Sequence, residues 1–155
     1  MPSPNGPELN QAMIEDLIGY NLRRASHVMI RDFFNAMDGC DIAPAQYAVL
    51  ALIMANPARK QAEIGAALGI KRANFIALFD SLEVRGFVRR EASQIDRRSL
   101  CLFVTPLGEQ LMRDVNARVA RHEEKFSALM SPDELNLFLT ILKRIWNEPH
   151  EGDSA

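Results

Sequence analysis

Cysteine is nearly absent from this 155-residue sequence, in which only Cys40 and Cys101 occur. Two cysteines so far apart form neither a disulfide framework nor a zinc-ligand spacing, so we interpret them as buried or half-buried thiols. The three histidines, His27, His122 and His150, are scattered along the chain. The sequence therefore predicts no metal site and no cofactor. It also lacks a paired nucleophile and base and a phosphate-binding glycine loop, so we expect no enzyme.

Long apolar runs are missing as well. The longest, Tyr47 to Ala55, has nine residues, whereas crossing a bilayer takes roughly 20. The first ten residues, "MPSPNGPELN", have neither the basic start nor the apolar centre of a secretion signal. We therefore expect a cytoplasmic protein without a membrane span.

Charge is unevenly distributed along the chain, whose formal net charge is −2. Residues 44–105 contain nine Lys and Arg against five Asp and Glu, while the remainder contains nine against fifteen. A basic centre in an acidic chain favours an anionic partner for that part of the fold. A solvated basic face without a partner is the alternative.

Apolar residues recur with helical spacing over most of the chain. The pattern predicts a first helix over about 9–37, a second over 44–55 that starts at Pro44, and a third, "QAEIGAAL", that stops at Gly69. A fourth helix follows over about 71–85 and stops at Gly86. The tight turn "LGIK" between the third and fourth helices is typical of a helix-turn-helix.

Two β-favouring runs, "FVRREA" and "LCLFVT", flank the polar turn "SQIDRRS" and predict a hairpin. After it, Thr105 is a natural N-cap for a fifth helix that reaches about residue 129. Together these elements predict a mainly α fold with a small β-wing. We expect one domain over 9–147, with flexible tails at 1–8 and 148–155.

The sixth helix has apolar side chains on more than one face. Ser131 and Glu134 form a capping box at its start. One stripe contains Leu135, Phe138, Leu142 and Ile145, and another contains Leu137, Ile141 and Trp146. Since a single core can cover only one of these stripes, the second favours a homodimer.

Several motifs occur in an order and spacing that resemble the MarR (multiple-antibiotic-resistance regulator) family of winged helix-turn-helix transcription factors. They are "APAQYAVLALI", "QAEIGAALGIKRANFIALFDSLEVRGFVRRE", "DRRSL" and "VTPLGEQL". The resemblance implies a DNA-binding lobe over 44–105 and dimerisation helices over 9–38 and 106–147. It also implies a homodimer on a pseudo-palindromic double-stranded operator, most often a repressor that a small molecule releases.

The basic residues fit such a role. The second helix of a helix-turn-helix presents its first residues to base edges in the major groove. Lys and Arg there suit guanine or phosphate, Asn suits adenine, and two cations at a positive helix end are otherwise unfavourable. Arginines at the wing tip suit a narrow minor groove, where Asp96 could orient them. The predicted DNA contacts are Lys71, Arg72, Ala73, Asn74, Arg89, Arg90, Asp96, Arg97 and Arg98.

The sequence also departs from the family. Ala77 and Ser81 stand where many relatives have Thr or Arg, and Lys60 replaces a Ser-type cap. Operator preference therefore cannot be transferred, and a winged-helix protein-interaction module without specific DNA binding is the alternative. No cysteine lies near the start of the first helix, which disfavours the family's peroxide-sensing chemistry.

A second stripe on the first helix combines aromatic, cationic and imidazole groups, which can hold a planar anion. The family places effector pockets between the first helix, the second helix and the DNA-binding lobe. The predicted ligand-binding residues are therefore Tyr20, Arg23, Arg24, His27, Ile30 and Phe34, with Tyr47 and Phe103 closing the cavity. An aromatic acid or its thioester is the predicted effector. The alternative is that the arginines are solvated or ion-paired and that His27 belongs to an interface.

Overall fold

The computed structural model describes residues 12–93 and 99–148 of the chain. Within these ranges, six helices and three short strands follow one another: α1 (Ile18–Ala36), α2 (Pro44–Ala55), β1 (Arg59–Lys60), α3 (Gln61–Ala67), α4 (Arg72–Val84), β2 (Val88–Ala92), β3 (Leu100–Val104), α5 (Pro106–Ser127) and α6 (Pro132–Trp146). The predicted mainly α fold with a small β-wing is confirmed. The predicted tails, 1–8 and most of 148–155, lie outside the described residues, as does the wing tip over 94–98.

Local sequence signals set most helix ends. Pro44, Pro106 and Pro132 each occupy a first helical position, where a missing N–H costs nothing. The hydroxyl of Ser131 accepts the N–H of Glu134, whose carboxylate accepts the Ser131 N–H in return. That hydrogen bond from the Ser131 N–H lowers the pKa of the Glu134 carboxyl.

The start of α1 differs from the sequence prediction. Residues 12–16 form turns and the helix begins only at Ile18, not near residue 9. Leu17 has an extended backbone with ψ 125° and offers no side-chain cap. The 3.6-residue spacing of apolar residues continues through this break, because amphipathic periodicity reports a common face and not continuous hydrogen bonding.

The sheet is antiparallel with the strand order β1-β3-β2. β2 and β3 form the predicted hairpin, in which Val88 pairs with Val104 and Ala92 with Leu100. β1 was not predicted, since two residues are too short for any periodic signal. Its residue Arg59 pairs with Leu102, so β3 lies in the middle of the sheet.

The core lies in the lobe formed by α2, α3, α4 and the sheet and extends to α1 and α5. From α4, the side chains of Phe75, Phe79 and Leu82 are fully buried, and the rings of Phe75 and Phe79 stack with centroids 6.2 Å apart. Val49 and Leu50 of α2 are buried with them. Because one face of α4 anchors the helix in this way, its opposite face is fixed relative to the lobe.

A hydrogen-bonded joint connects the wing to α5. The Thr105 hydroxyl donates to the Gly86 carbonyl at 2.5 Å and accepts the Gly108 N–H at 3.1 Å. The Thr105 N–H donates to the Phe87 carbonyl at 3.0 Å. Gly108 lies so close to the wing that a Cβ atom there would be 2.1 Å from the Phe87 oxygen. The motif "TPLG" therefore starts α5 and also holds α5 against the wing.

α1 is tied to α5 through Asp32. One carboxylate oxygen lies 2.9 Å from Nδ1 of the buried His122, and the other accepts a hydrogen bond from Lys125. These partners, Lys125 first, lower the pKa of the Asp32 carboxyl. The His122 ring lies edge-on between Phe33 and Phe126, with centroids 5.5 and 5.2 Å away. A polar group buried in this way is satisfied and rigid.

In the described part of the chain, no side chain of α6 is fully buried, and only Leu135 and Leu142 are half-buried. Leu137 and Trp146 are 60% and 64% exposed, and Phe138, Leu139, Ile141 and Ile145 are exposed beside them. An exposed apolar surface of this kind is uncommon on a monomeric protein.

Candidate DNA interface and effector groove

The turn between α3 and α4 has the helix-turn-helix geometry. Gly69 adopts a left-handed φ of 63°, which a side chain would disfavour, and the Ile70 N–H donates to the Gly65 carbonyl at 3.0 Å. The turn directs the first residues of α4 into solvent. Lys71, the N-cap, and Arg72 are both exposed.

The predicted contact residues at the start of α4 are open on the surface. Lys71, Arg72, Ala73 and Asn74 are exposed, whereas Phe75 points into the core. Within the described part of the chain, the Lys71, Arg72 and Asn74 side chains make no hydrogen bond or ion pair with another residue. Their donors are therefore available to a partner.

Ser81 of α4 faces the protein interior instead. Its hydroxyl donates to the Leu78 carbonyl at 2.6 Å and accepts a hydrogen bond from Nε2 of Gln46 at 2.9 Å. The sequence placed Ser81 among the recognition positions of the helix. In the structure this residue connects α4 to α2, and Ala77 remains exposed on the outer face.

The two arginines of β2 have different surroundings. The Arg89 side chain is exposed; its Nε lies 2.6 Å from a Glu91 oxygen and its guanidinium 5.1 Å from the Phe103 ring centroid. Arg90 is 22% exposed and lies 4.4 Å from the Phe79 ring centroid. It pairs with both Asp80, at 2.5 Å, and Glu83 of α4. Arg90 thus holds the wing against α4.

The wing-tip residues Asp96, Arg97 and Arg98 lie outside the described residues, and their DNA contacts stay predictions.

A groove of about 420 Å³ runs along the exposed face of α1. Four predicted ligand residues line it, and two residues absent from the prediction, Val28 and Arg31, join them: Tyr20, Arg23, Arg24, His27, Val28 and Arg31. Sequence spacing could have identified Arg31, which follows His27 by four positions and so shares its face. The groove is strongly cationic, with three arginines on two helical turns.

Tyr20 organises the cationic end of this groove. The Tyr20 hydroxyl accepts a hydrogen bond from Arg24 at 3.1 Å, and the guanidinium carbons of Arg23 and Arg24 lie 5.6 and 5.7 Å from the ring centroid. Neither arginine pairs with a carboxylate among residues 12–93 and 99–148. An aromatic ring with two guanidinium groups can bind a planar anion by stacking and charge.

The other four predicted ligand residues lie outside this groove. Ile30 and Phe34 are exposed further along α1. Tyr47 of α2 lies at the junction with α5, where its hydroxyl donates to Oδ1 of Asn116 at 3.2 Å. Burial, with a contribution from the Glu123 charge, raises the pKa of Tyr47, so the hydroxyl stays neutral. Phe103 belongs to the wing. The described structure therefore does not form one cavity from all eight residues.

Within residues 12–93 and 99–148, no group of three or more His, Cys, Asp or Glu side chains could hold a metal ion. In the same ranges, none of the helices combines the length and the apolar character that a membrane crossing requires.

A basic, solvent-facing second helix, a tight left-handed turn and an adjacent β-hairpin define the class of winged helix-turn-helix proteins. Residues 41–99 match the MarR family. The chain belongs to the MarR family of transcriptional regulators, which confirms the resemblance found in the sequence.

Among solved structures, the transcriptional repressor CouR bound to a 23-mer DNA duplex is 38% identical, with a TM-score of 0.85 over 91% of this chain and 100% of that one. CouR bound to p-coumaroyl-CoA is 37% identical, with a TM-score of 0.82 over 92% of this chain and 100% of that one. A putative transcriptional regulatory protein for the hcr operon of Thauera aromatica is 29% identical over 145 residues, which cover 93% of this chain and 87% of the relative.

Proposed function

We propose that this protein is a cytoplasmic homodimeric repressor that binds a pseudo-palindromic DNA operator and is released by a small aromatic acid or its thioester. The exposed start of α4 carries the proposal, because Lys71, Arg72 and Asn74 present donors there that no residue within 12–93 and 99–148 binds. Two cations at the positive end of a helix are unfavourable unless an anion covers them. The similarity to CouR, solved on a DNA duplex, supports the same partner here.

In this proposal α4 lies in the major groove and the arginines of the wing tip enter an adjacent narrow minor groove. Lys71 and Arg72 contact guanine or phosphate, and Asn74 contacts adenine. Arg89 can turn to a phosphate at small cost, since its exposed pair with Glu91 contributes little. Arg90 stays on Asp80 and Glu83 and acts by fixing the wing.

The proposal is tested by selecting duplexes from a random library and measuring affinity for the selected duplex over a salt series. Tight binding to a pseudo-palindrome that weakens steeply with salt is expected, because binding releases counterions from phosphates. If selection yields no preferred sequence, the alternative of a protein-interaction module is favoured.

The wing tip provides a more local prediction. Arg98→Ala should weaken binding to the selected duplex by about 1–3 kcal/mol while the protein stays folded and dimeric. The measurement is fluorescence anisotropy, with Arg113→Ala as the control. Arg113 is exposed on α5 and, among the described residues, bonds to Gln110 alone, so this control removes one positive charge outside the predicted DNA contacts. Equal affinities of Arg98→Ala and Arg113→Ala would rule out a DNA contact by Arg98.

The groove on α1 is the proposed effector site. Tyr20 can stack on an aromatic ring while Arg24 and His27 bind a carboxylate or the polar end of a thioester. The similarity to CouR, solved with p-coumaroyl-CoA, supports an aromatic acyl group. Such a ligand releases DNA only by binding better to a dimer whose lobe separation does not match the operator.

Titration calorimetry with benzoates, cinnamates and their coenzyme A thioesters tests this site. We expect at least one member to bind, and Arg24→Ala, His27→Ala and Arg31→Ala each to weaken it about tenfold. Arg113→Ala should bind like the unsubstituted protein. If a ligand binds and none of the three groove variants weakens its binding, the effector site lies elsewhere. If no member of the panel binds, the effector is not an aromatic acid or its thioester.

A further inference from the structure

The connection between α1 and α2, residues 37–43, is held by two arginines from different helices. Arg118 of α5 donates from Nη1 to the carbonyls of Ala36, at 3.3 Å, and Asp38, at 2.8 Å. Arg85, the residue directly after α4, donates from Nη1 to the Asp41 carbonyl at 2.6 Å and from Nη2 to the Cys40 carbonyl at 3.3 Å. Four carbonyls in six residues thus accept hydrogen bonds from charged donors.

These hydrogen bonds fix a loop whose carbonyls would otherwise bind water. Bonds from a guanidinium are about twice as strong as those between neutral groups, and its planar fork can reach two acceptors at once. The loop also contains two left-handed residues, Gly39 with φ 79° and Asp41 with φ 47°. The shape of the connection is therefore specified by its backbone and by both arginines.

The connection is also linked to α4 indirectly, through Gln46 in the first turn of α2. The Gln46 oxygen accepts the Ala43 N–H at 3.0 Å, and its amide nitrogen donates to the Ser81 hydroxyl at 2.9 Å. Arg85 and Ser81 lie four residues apart at the C-terminal end of α4. The loop is thus linked to α4 directly through Arg85 and indirectly through Gln46, while Arg118 ties it to α5.

We propose that residues 37–43 transmit position between the helices α1 and α5 and the recognition helix, and that Arg85 is a positioning residue for DNA binding. Arg85 itself does not meet DNA, because its guanidinium lies over the Phe87 ring, 4.8 Å from the centroid, and bonds into the loop. Its role is to hold the C-terminal end of α4 so that Lys71 and Arg72 reach the major groove of the DNA. This inference rests on the proposed DNA binding.

The test uses Arg85→Met, which keeps the apolar stem over Phe87 but removes every donor. We expect about tenfold weaker binding to the duplex selected by the unsubstituted protein. The salt dependence should not change, because losing a phosphate contact lowers that slope by about one unit and losing a positioning contact does not. Amide hydrogen exchange should accelerate in residues 37–43 and at the end of α4.

Two further variants make the result specific. Arg113→Met removes the same charge from an exposed site and should leave affinity and exchange unchanged. Arg85→Lys keeps the positive charge but loses the planar guanidinium that reaches two acceptors, so it should restore only part of the affinity for the duplex. If Arg85→Met fails to fold, Arg85→Lys replaces it in the binding measurement. Arg118→Met should accelerate exchange in the loop from its α5 side.

The outcomes separate this inference from the proposed function. If the unsubstituted protein selects no DNA sequence, the proposed function is wrong and Arg85 has no such role. If that protein selects a duplex and Arg85→Met binds it equally well, only the positioning role is overturned. Full recovery by Arg85→Lys, or a reduced salt slope in Arg85→Met, would also overturn it, since either would indicate a direct electrostatic contact.

Discussion

Leu137→Glu and Ile141→Glu are each expected to convert the protein to a monomer at micromolar concentration and to abolish binding to the selected duplex. Both side chains lie on the exposed apolar face of α6, which the described residues of the chain leave uncovered. In a twofold dimer each substitution would bury two carboxylates, so we expect the dimer dissociation constant to rise about a hundredfold or more. DNA binding should be lost at the same time, because two half-sites one helical turn apart require two lobes.

Sedimentation velocity and anisotropy on the same samples measure both effects. Asn136→Glu is the matched control, since it adds the same charge to the same helix at a polar, exposed position. It should remain dimeric and bind DNA normally. A monomeric unsubstituted protein at these concentrations would show that the face has another use.

Gly108→Ala should lower the free energy of unfolding by about 3 kcal/mol or more. The added methyl group would lie 2.1 Å from the Phe87 carbonyl oxygen and 2.7 Å from Cγ1 of Val104. The nearest atom belongs to the backbone and cannot rotate away, so α5 would have to separate from the wing. That separation would break the hydrogen bonds of Thr105 to both sides of the joint.

Chemical denaturation measures this loss, and Gly19→Ala is its control. A Cβ atom at Gly19 meets no atom within 4 Å, and Ala favours a helix over Gly by about 1 kcal/mol. Gly19→Ala should therefore be neutral or slightly stabilising. Equal stability of the two variants would mean that the joint can open without cost.

Features that depend on neighbouring residues were predictable from the sequence. The helix ends at Pro44, Thr105 and Ser131 and the glycine turn at Gly69 follow from local hydrogen bonding and backbone geometry, and the structure confirms them. The exposed apolar face of α6 also followed from its spacing. Lys71, Arg72, Ala73 and Asn74 are exposed at the start of α4, and their contacts with DNA stay a prediction.

Features that depend on contacts between distant segments were not predictable. The sequence marks Arg90 as one more basic residue, but only the fold brings it onto Asp80 and Glu83. Ser81 faces α2 for the same reason. The strand β1 exists only because β3 offers it a partner. In each case the contact joins two different secondary-structure elements, and no periodic pattern in the sequence reports how two elements are placed against each other.

The short strand β1 also affects how the protein avoids self-association through the edge of its sheet. Because β1 pairs with Leu102 and Cys101 at the centre of β3, the outermost strand on that side is just two residues long, and both of its residues, Arg59 and Lys60, are exposed and positively charged. Unpaired strand edges invite addition of strands from other chains, and short cationic edges discourage it. At high concentration this side of the wing should therefore resist the edge-to-edge aggregation to which an uncovered β3 would be prone.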